Sequence, residues 1–289
     1  MRKFLIVTAD DFGLHEAVNT AVELAHRDGV LTATSLMVAG PAAADAVARA
    51  RRLPGLRVGL HVVLADGAAM LERGLIPAIV DAAGRFDDRM FRSGLRYFAL
   101  PRARRQLEAE IRAQFAAFQA TGLRLDHVNA HKHFHLHPSL LTLMLRIGAE
   151  YGARAFRVPA EPAWFRPAGA GKAGGAAGAL MLAPWLALMK RRLRAAGMRH
   201  NDHVFGIART GAMDEQALVE AVGRLPPGVT EIYSHPAAAA TVSASMGGYR
   251  HADELAALVS ARVRAAIAAA DVELGGFADL PPRRGRGAA

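Results

Sequence analysis

Asp126-His127-Val128-Asn129-Ala130-His131-Lys132-His133-Phe134-His135-Leu136-His137-Pro138 packs five of the chain's twelve histidines into eleven residues. His131, His133, His135 and His137 fall at i, i+2, i+4 and i+6. In an extended strand alternate side chains share a face, so this spacing predicts a strand that aims its imidazoles to one side. A half-buried strand normally fills such positions with Val or Ile rather than a titratable ring. Neutral imidazole is the commonest protein ligand for transition metals, and Asp126 lies five positions upstream of His131. Each histidine alone reads equally well as solvated, or as a core residue satisfied by a backbone carbonyl. As a group, with carboxylates available elsewhere, they point to a metal site.

Strands and helices alternate outward from this stretch. Phe4–Val7, Thr34–Val38, Arg57–His61, Ala155–Pro159, His203–Ile207, Thr230–Pro236 and Val272–Leu274 read as short strands. Helical periodicity covers His15–Asp28, Pro41–Arg52, Ala103–Thr121, Pro138–Tyr151, Asp214–Arg224 and Asp253–Ala270. The connection from Asp66 to Leu100 is long, which is usual for functional or mobile segments. The pattern predicts one α/β domain over residues 1–280, a closed or distorted (β/α) barrel with about seven parallel strands. The rhythm breaks over about 163–200. There the glycine-rich Gly169–Gly175 precedes an apolar run, Leu180–Met189, and a basic group, Lys190, Arg191, Arg192 and Arg194. That run is too short to span a bilayer. An apolar segment beside Lys and Arg suits peripheral membrane contact through about 173–194, and equally a helix packed on the domain or on a partner in a homo-oligomer. Residues 281–289 read as a disordered basic tail.

Composition narrows the function classes. The chain of 289 residues has no cysteine, so disulfides and thiolate metal sites are excluded and a reducing, cytoplasmic setting is expected, peripheral at most on the inner membrane face. The apolar start stops at Asp10-Asp11, too short for a signal sequence. The net charge of +10 suits an anionic partner. No aromatic residues interleave the arginine clusters, so nucleic acid is not expected.

Asp10, Asp11, His61, His131, Arg157 and His235 each stand at or just past the end of a predicted strand. In a (β/α) barrel those ends converge on one mouth, where active sites are built. One Asp and two His leave coordination positions open, as in a catalytic metal site. Asp10 also reads as a helix N-cap, and Arg157 equally as the structural partner of a buried carboxylate. The residues alone do not separate Asp10 from Asp11 as base and ligand.

Thr8-Ala9-Asp10-Asp11-Phe12-Gly13, Gly59-Leu60-His61, Asn129-Ala130-His131-Lys132-His133-Phe134-His135, Arg157-Val158-Pro159 and Tyr233-Ser234-His235-Pro236 resemble the successive motifs of YdjC/ChbG-type carbohydrate deacetylases, in order over nearly the whole chain. Within that family the chain looks most like the branch associated with hopanoid biosynthesis. The resemblance implies metal-dependent removal of an acetyl group from an N-acetylated amino sugar, and the branch implies an N-acetylglucosaminyl hopanoid. Soluble chitooligosaccharides are the alternative substrate. It also implies one divalent ion, magnesium or zinc foremost, on Asp11, His61 and His131. Asp10 is then the general base, Arg157 its orienting partner and His235 the acid for the departing amine. Phe12 and His133 are the expected substrate contacts. The apolar insertion gains a role as a membrane-facing lip if the substrate is a lipid.

Overall fold

A computed structural model of the chain describes residues 2–166 and 176–280. Nine strands are present among the described residues: β1 Lys3–Phe12, β2 Ala33–Leu36, β3 Arg57–Val62, β4 Leu125–Ala130, β5 Ala155–Phe156, β6 Arg199–His200, β7 His203–Phe205, β8 Gly228–Ser234 and β9 Val272–Leu274. Eight form a path β6-β5-β4-β3-β2-β1-β8-β7, and β9 adds to β1. Every ladder is parallel. Parallel strands need crossover helices on the outside, so nearly every strand here is buried on both faces. Leu5, Ile6, Leu60, Val128, Phe156 and Ile232 accordingly sit in the core.

The path's two ends, β6 and β7, are separated by only Asn201 and Asp202, and no ladder joins them. A side chain makes the join instead. Asn201 Oδ1 accepts from the Val158 amide at 2.7 Å, and its Nδ2 donates to the Val158 carbonyl at 2.7 Å and the His203 carbonyl at 3.0 Å. Val204 N–H adds a bond to the Ala160 carbonyl at 3.1 Å. The barrel is therefore the distorted one, with a seam.

The helices are α1 Glu16–Arg27, α2 Ala43–Arg51, α3 Met90–Ala99, α4 Pro101–Ala120, α5 Pro138–Glu150, α6 Ala176–Ala195, α7 Glu215–Gly223, α8 His251–Val259 and α9 Ala261–Ala269. α3 lies inside the long Asp66–Leu100 connection, where no helix is expected from the sequence. The helix expected over Asp253–Ala270 is two, because Ser260 is extended and caps α9 by accepting from the Arg262 and Val263 amides. His15 Nδ1, not Asp10, caps α1.

The histidine stretch departs most from expectation. β4 ends at Ala130, and His131–Leu136 forms a 3₁₀ turn with Lys132 and His133 left-handed at φ 53° and 54°. Two successive left-handed residues reverse the chain direction, so the four imidazoles do not share a face. α6 packs through buried Met189 and Leu193, and Trp185 Nε1 donates to the Leu136 carbonyl at 2.8 Å. Among the described residues no helix is long and apolar enough to cross a membrane. Gly169–Gly175 and the 281–289 tail lie outside the described residues.

Candidate metal and active site

The mouth forms where β1, β3, β4 and β8 end, and β1 supplies its two carboxylates. A register shift between Ala9 and Phe12 marks a bulge, and Asp11 is left-handed at φ 65°. Such strain costs on the order of 1–3 kcal/mol for a non-glycine residue and collects at functional sites. Its effect here is to send two consecutive carboxylates to different partners.

Asp11 faces two histidines. Its Oδ1 lies 3.2 Å from His61 Nε2 and 3.1 Å from His131 Nδ1, and the two ring nitrogens are 3.3 Å apart. Ligands bonded to one small divalent ion at about 2.0–2.1 Å stand roughly 3.0–3.4 Å from one another, so this triangle has the right dimensions. Asp11 Oδ2 is buried and has no partner, an arrangement that costs stability unless a cation or donor meets it. Asp11, His61 and His131 are also the one such ligand group found among the described residues. Oxygen and imidazole ligands accept either magnesium or zinc.

Asp10 accepts from a different set of partners. Its Oδ1 accepts from Ser35 Oγ at 2.7 Å, from Asn129 Nδ2 at 3.3 Å and from Arg157 Nη2 at 2.9 Å, while Oδ2 accepts from Arg157 Nη1. Burial alone raises the Asp10 pKa, but the Arg157 charge and bonds, helped by His61 and His235, hold it far below the ordinary carboxylate range. Arg157, fully buried, also grips Glu231 through Nε at 2.9 Å and Nη2 at 2.7 Å, and Thr8 Oγ1 donates to Glu231 at 2.8 Å. The guanidinium thus orients a buried carboxylate and is a structural partner at once.

Asn129 links the two halves. Its Nδ2 faces the acceptor-only Asp10 carboxylate, which fixes the amide orientation and turns its Oδ1 toward His61 Nδ1 at 2.6 Å. His61 must then carry its neutral-state proton on Nδ1 and present the Nε2 lone pair to the site, as metal-bound histidines do. Burial lowers the His61 pKa, but Asp10, Asp11 and the Asn129 bond outweigh it, so the ring titrates above its ordinary value.

His235 follows β8 and is buried, with Nδ1 unpartnered. Its backbone is pinned on both sides: its amide donates to Glu254 at 2.6 Å and its carbonyl meets His251 Nδ1 at 2.6 Å. Burial pushes the His235 pKa down, against the pull of Asp11 and Asp10. His133 Nε2 bonds the Tyr233 hydroxyl at 3.1 Å, and its Nδ1 has no partner. Phe12 does not reach the mouth surface. It is fully buried in the core beneath the site, because the bulge turns it inward. His135 bonds the Arg157 carbonyl at 3.0 Å and serves the backbone.

Glu231, Asn129 and Ser35 are missed by sequence reasoning. Glu231 had a signal, since an acid inside a buried parallel strand requires a cation, and Arg157 is the strand-end cation at hand. Asn129 stands on β4 two positions before His131, within the stretch that the histidine spacing already singles out. Ser35 has none, as a small polar residue is ordinary in any strand.

Residues 4–269 match the family described as YdjC-like protein, and the chain belongs to that family. A carbohydrate deacetylase of Brevibacillus brevis is 39% identical over 162 residues, which cover 55% of this chain and 59% of that one. A chitooligosaccharide deacetylase of Serratia marcescens is 36% identical over 145 residues, 50% of this chain and 55% of that one. These matches span less than two thirds of the relatives' own lengths. A crystal structure from Enterococcus faecalis V583, of a protein provisionally named for cellobiose-phosphate cleavage, superposes with a TM-score of 0.76 over 96% of this chain and 98% of that one, at 25% identity.

Proposed function

We propose that the protein is a metal-dependent carbohydrate N-deacetylase, with Asp11, His61 and His131 holding one divalent ion, magnesium or zinc. The observation that carries this reading is the three-ligand triangle with its unpartnered Asp11 oxygen, set beside an ionised Asp10. When bound, such an ion supplies Lewis-acid polarisation of an amide carbonyl and acidity to a nearby water. Asp10 is assigned as the base. Its Oδ2 accepts only from Arg157 and keeps a lone pair for the attacking water's proton. Arg157 and Ser35 hold that carboxylate in place. His235, with Nδ1 free, delivers the proton to the departing amine as the C–N bond breaks, leaving acetate and a free amino sugar. His133 offers Nδ1 to a sugar hydroxyl.

The leading substrate is a soluble N-acetylated oligosaccharide, in keeping with the names of the similar deacetylases. A second reading, an N-acetylglucosaminyl hopanoid, is supported by an apolar groove of about 520 Å³ between α3 and the histidine turn, lined by Met90, Leu95, Phe134 and Leu136 and bordered by His133. Amine release from N,N′-diacetylchitobiose and from the lipid, by wild type, His131→Ala and metal-stripped protein, tests both. Metal-restorable release from either substrate, lost in His131→Ala, supports the reading, and the reactive substrate decides its class. No release from either after metal is restored overturns it.

A further inference from the structure

α3 carries its amphipathicity inside out. Ser93, Gly94 and Tyr97 form its buried side, while Phe91, Leu95 and Phe98, at i, i+4 and i+7, form a stripe directed outward. Phe91 is 90%, Leu95 60% and Phe98 66% exposed. A helix packed on a soluble domain turns its apolar stripe to the core. A contiguous apolar patch left outside marks an interaction surface.

Charge at the same corner selects the partner. Arg92 on α3, and Arg102, Arg104 and Arg105 at the start of α4, are exposed, and none forms an ion pair with the described residues. The first turn of α4 contains no acidic residue. Three guanidinium groups therefore stand at the positive end of the α4 dipole, an arrangement that destabilises the isolated helix and is relieved by an opposing anion.

We infer that the α3–α4 elbow docks the protein on an anionic phospholipid bilayer. Phe91, Leu95 and Phe98 enter the boundary between headgroups and acyl chains, and the four arginines meet lipid phosphates. An apolar stripe edged by arginine with no acidic residue in α3 fits that surface. The elbow is also one wall of the groove that ends at His133, so docking sets the mouth's edge against the bilayer. The stripe shares that groove wall but lies apart from the metal ligands, and the docking does not depend on which sugar the site takes.

Co-sedimentation of the full chain with phosphatidylcholine vesicles, with and without phosphatidylglycerol, tests the inference, alongside thermal unfolding and light scattering. Wild type is expected to bind only the phosphatidylglycerol vesicles and to be released by salt. Phe91→Ser/Phe98→Ser and Arg102→Gln/Arg104→Gln/Arg105→Gln are each expected to weaken binding about tenfold or more, with unfolding midpoints unchanged. Failure of wild type to bind, or equal binding by the folded variants, overturns the inference. So does self-association of wild type that Phe91→Ser/Phe98→Ser abolishes without changing vesicle binding, which would make a second copy the occupant.

Discussion

The two ends of the same parallel strands follow opposite rules. At the foot, the charged groups close on one another, although His127 Nε2 and Thr230 Oγ1 are buried without partners. Asp126, near the start of β4, accepts from His127 Nδ1 and the Ala278 amide, each at 2.8 Å, and from the Phe277 amide at 3.2 Å. Arg57, at the start of β3, grips Asp279 with bonds of 2.9 and 3.0 Å. At the mouth, Asp11 Oδ2, His133 Nδ1 and His235 Nδ1 are buried without partners, and Asp11, Lys132 and His133 hold left-handed backbone. β3 and β4 contribute to both ends, so the fold is not what differs. The foot uses its bonding capacity to tie down the end of the chain, whereas the mouth keeps capacity in reserve for a ligand.

Asp11→Gly is the sharpest way to break this comparison. Glycine tolerates φ 65° and removes the unpartnered oxygen. Activity and metal content should collapse, the former by about a thousandfold or more, while stability stays within about 1 kcal/mol of wild type. A large loss of stability in denaturant titration would mean that Asp11 is structural. Arg157→Met should differ by adding a large loss of stability to any loss of activity, since Asp10 and Glu231 lose their common cation. Urea unfolding should report a loss of about 3–5 kcal/mol, as expected when one partner of a buried ion network is removed.

Glu254 extends the contrast to pH. Burial pushes its pKa from an ordinary 4.5 up to about 7, against the bonds from the Met213 and His235 amides that favour the charged form. A folded-state pKa above the unfolded one means that the native protein binds the extra proton. The resulting stability is fully present below about pH 4.5 and is lost as pH rises to about 7, a change of about 3 kcal/mol. Melting curves of Glu254→Gln should lack that slope, and an identical slope in the variant would refute the assignment. The smallest effect belongs to the foot. Arg57→Ala breaks a partly exposed pair, so it should cost about 1 kcal/mol or less in urea titration and leave any hydrolysis untouched.

Much of the fold is legible because parallel strands are short apolar runs and their crossover helices are periodic. Thr230–Pro236 falls within two residues of β8, whereas Phe4–Val7 starts one residue after β1 and stops five short of its end at Phe12. β6 escapes notice, since two residues, Arg199 and His200, carry no pattern. α3 escapes because its apolar stripe faces outward and no cap marks its start. In the site, strand-end placement brings Asp11, His61 and His131 together as expected. The error at His131–His137 is instructive: a period of two in sequence means one face only if the backbone stays extended, and Lys132 and His133 do not.

The Asn201 seam gives the barrel a preferred place to breathe. β1 is flanked by β2, β8 and β9, while β5, β6 and β7 hold their neighbours through ladders of one to three residue pairs. Sub-global opening of low free energy starts where few bonds must break together, so the molecule unzips from the seam and β1 is the last to release its amides to deuterium. Val158, which Asn201 clasps, directly follows Arg157 in the chain. An opening there would loosen the strand end that carries Arg157, whose guanidinium is bonded to Asp10.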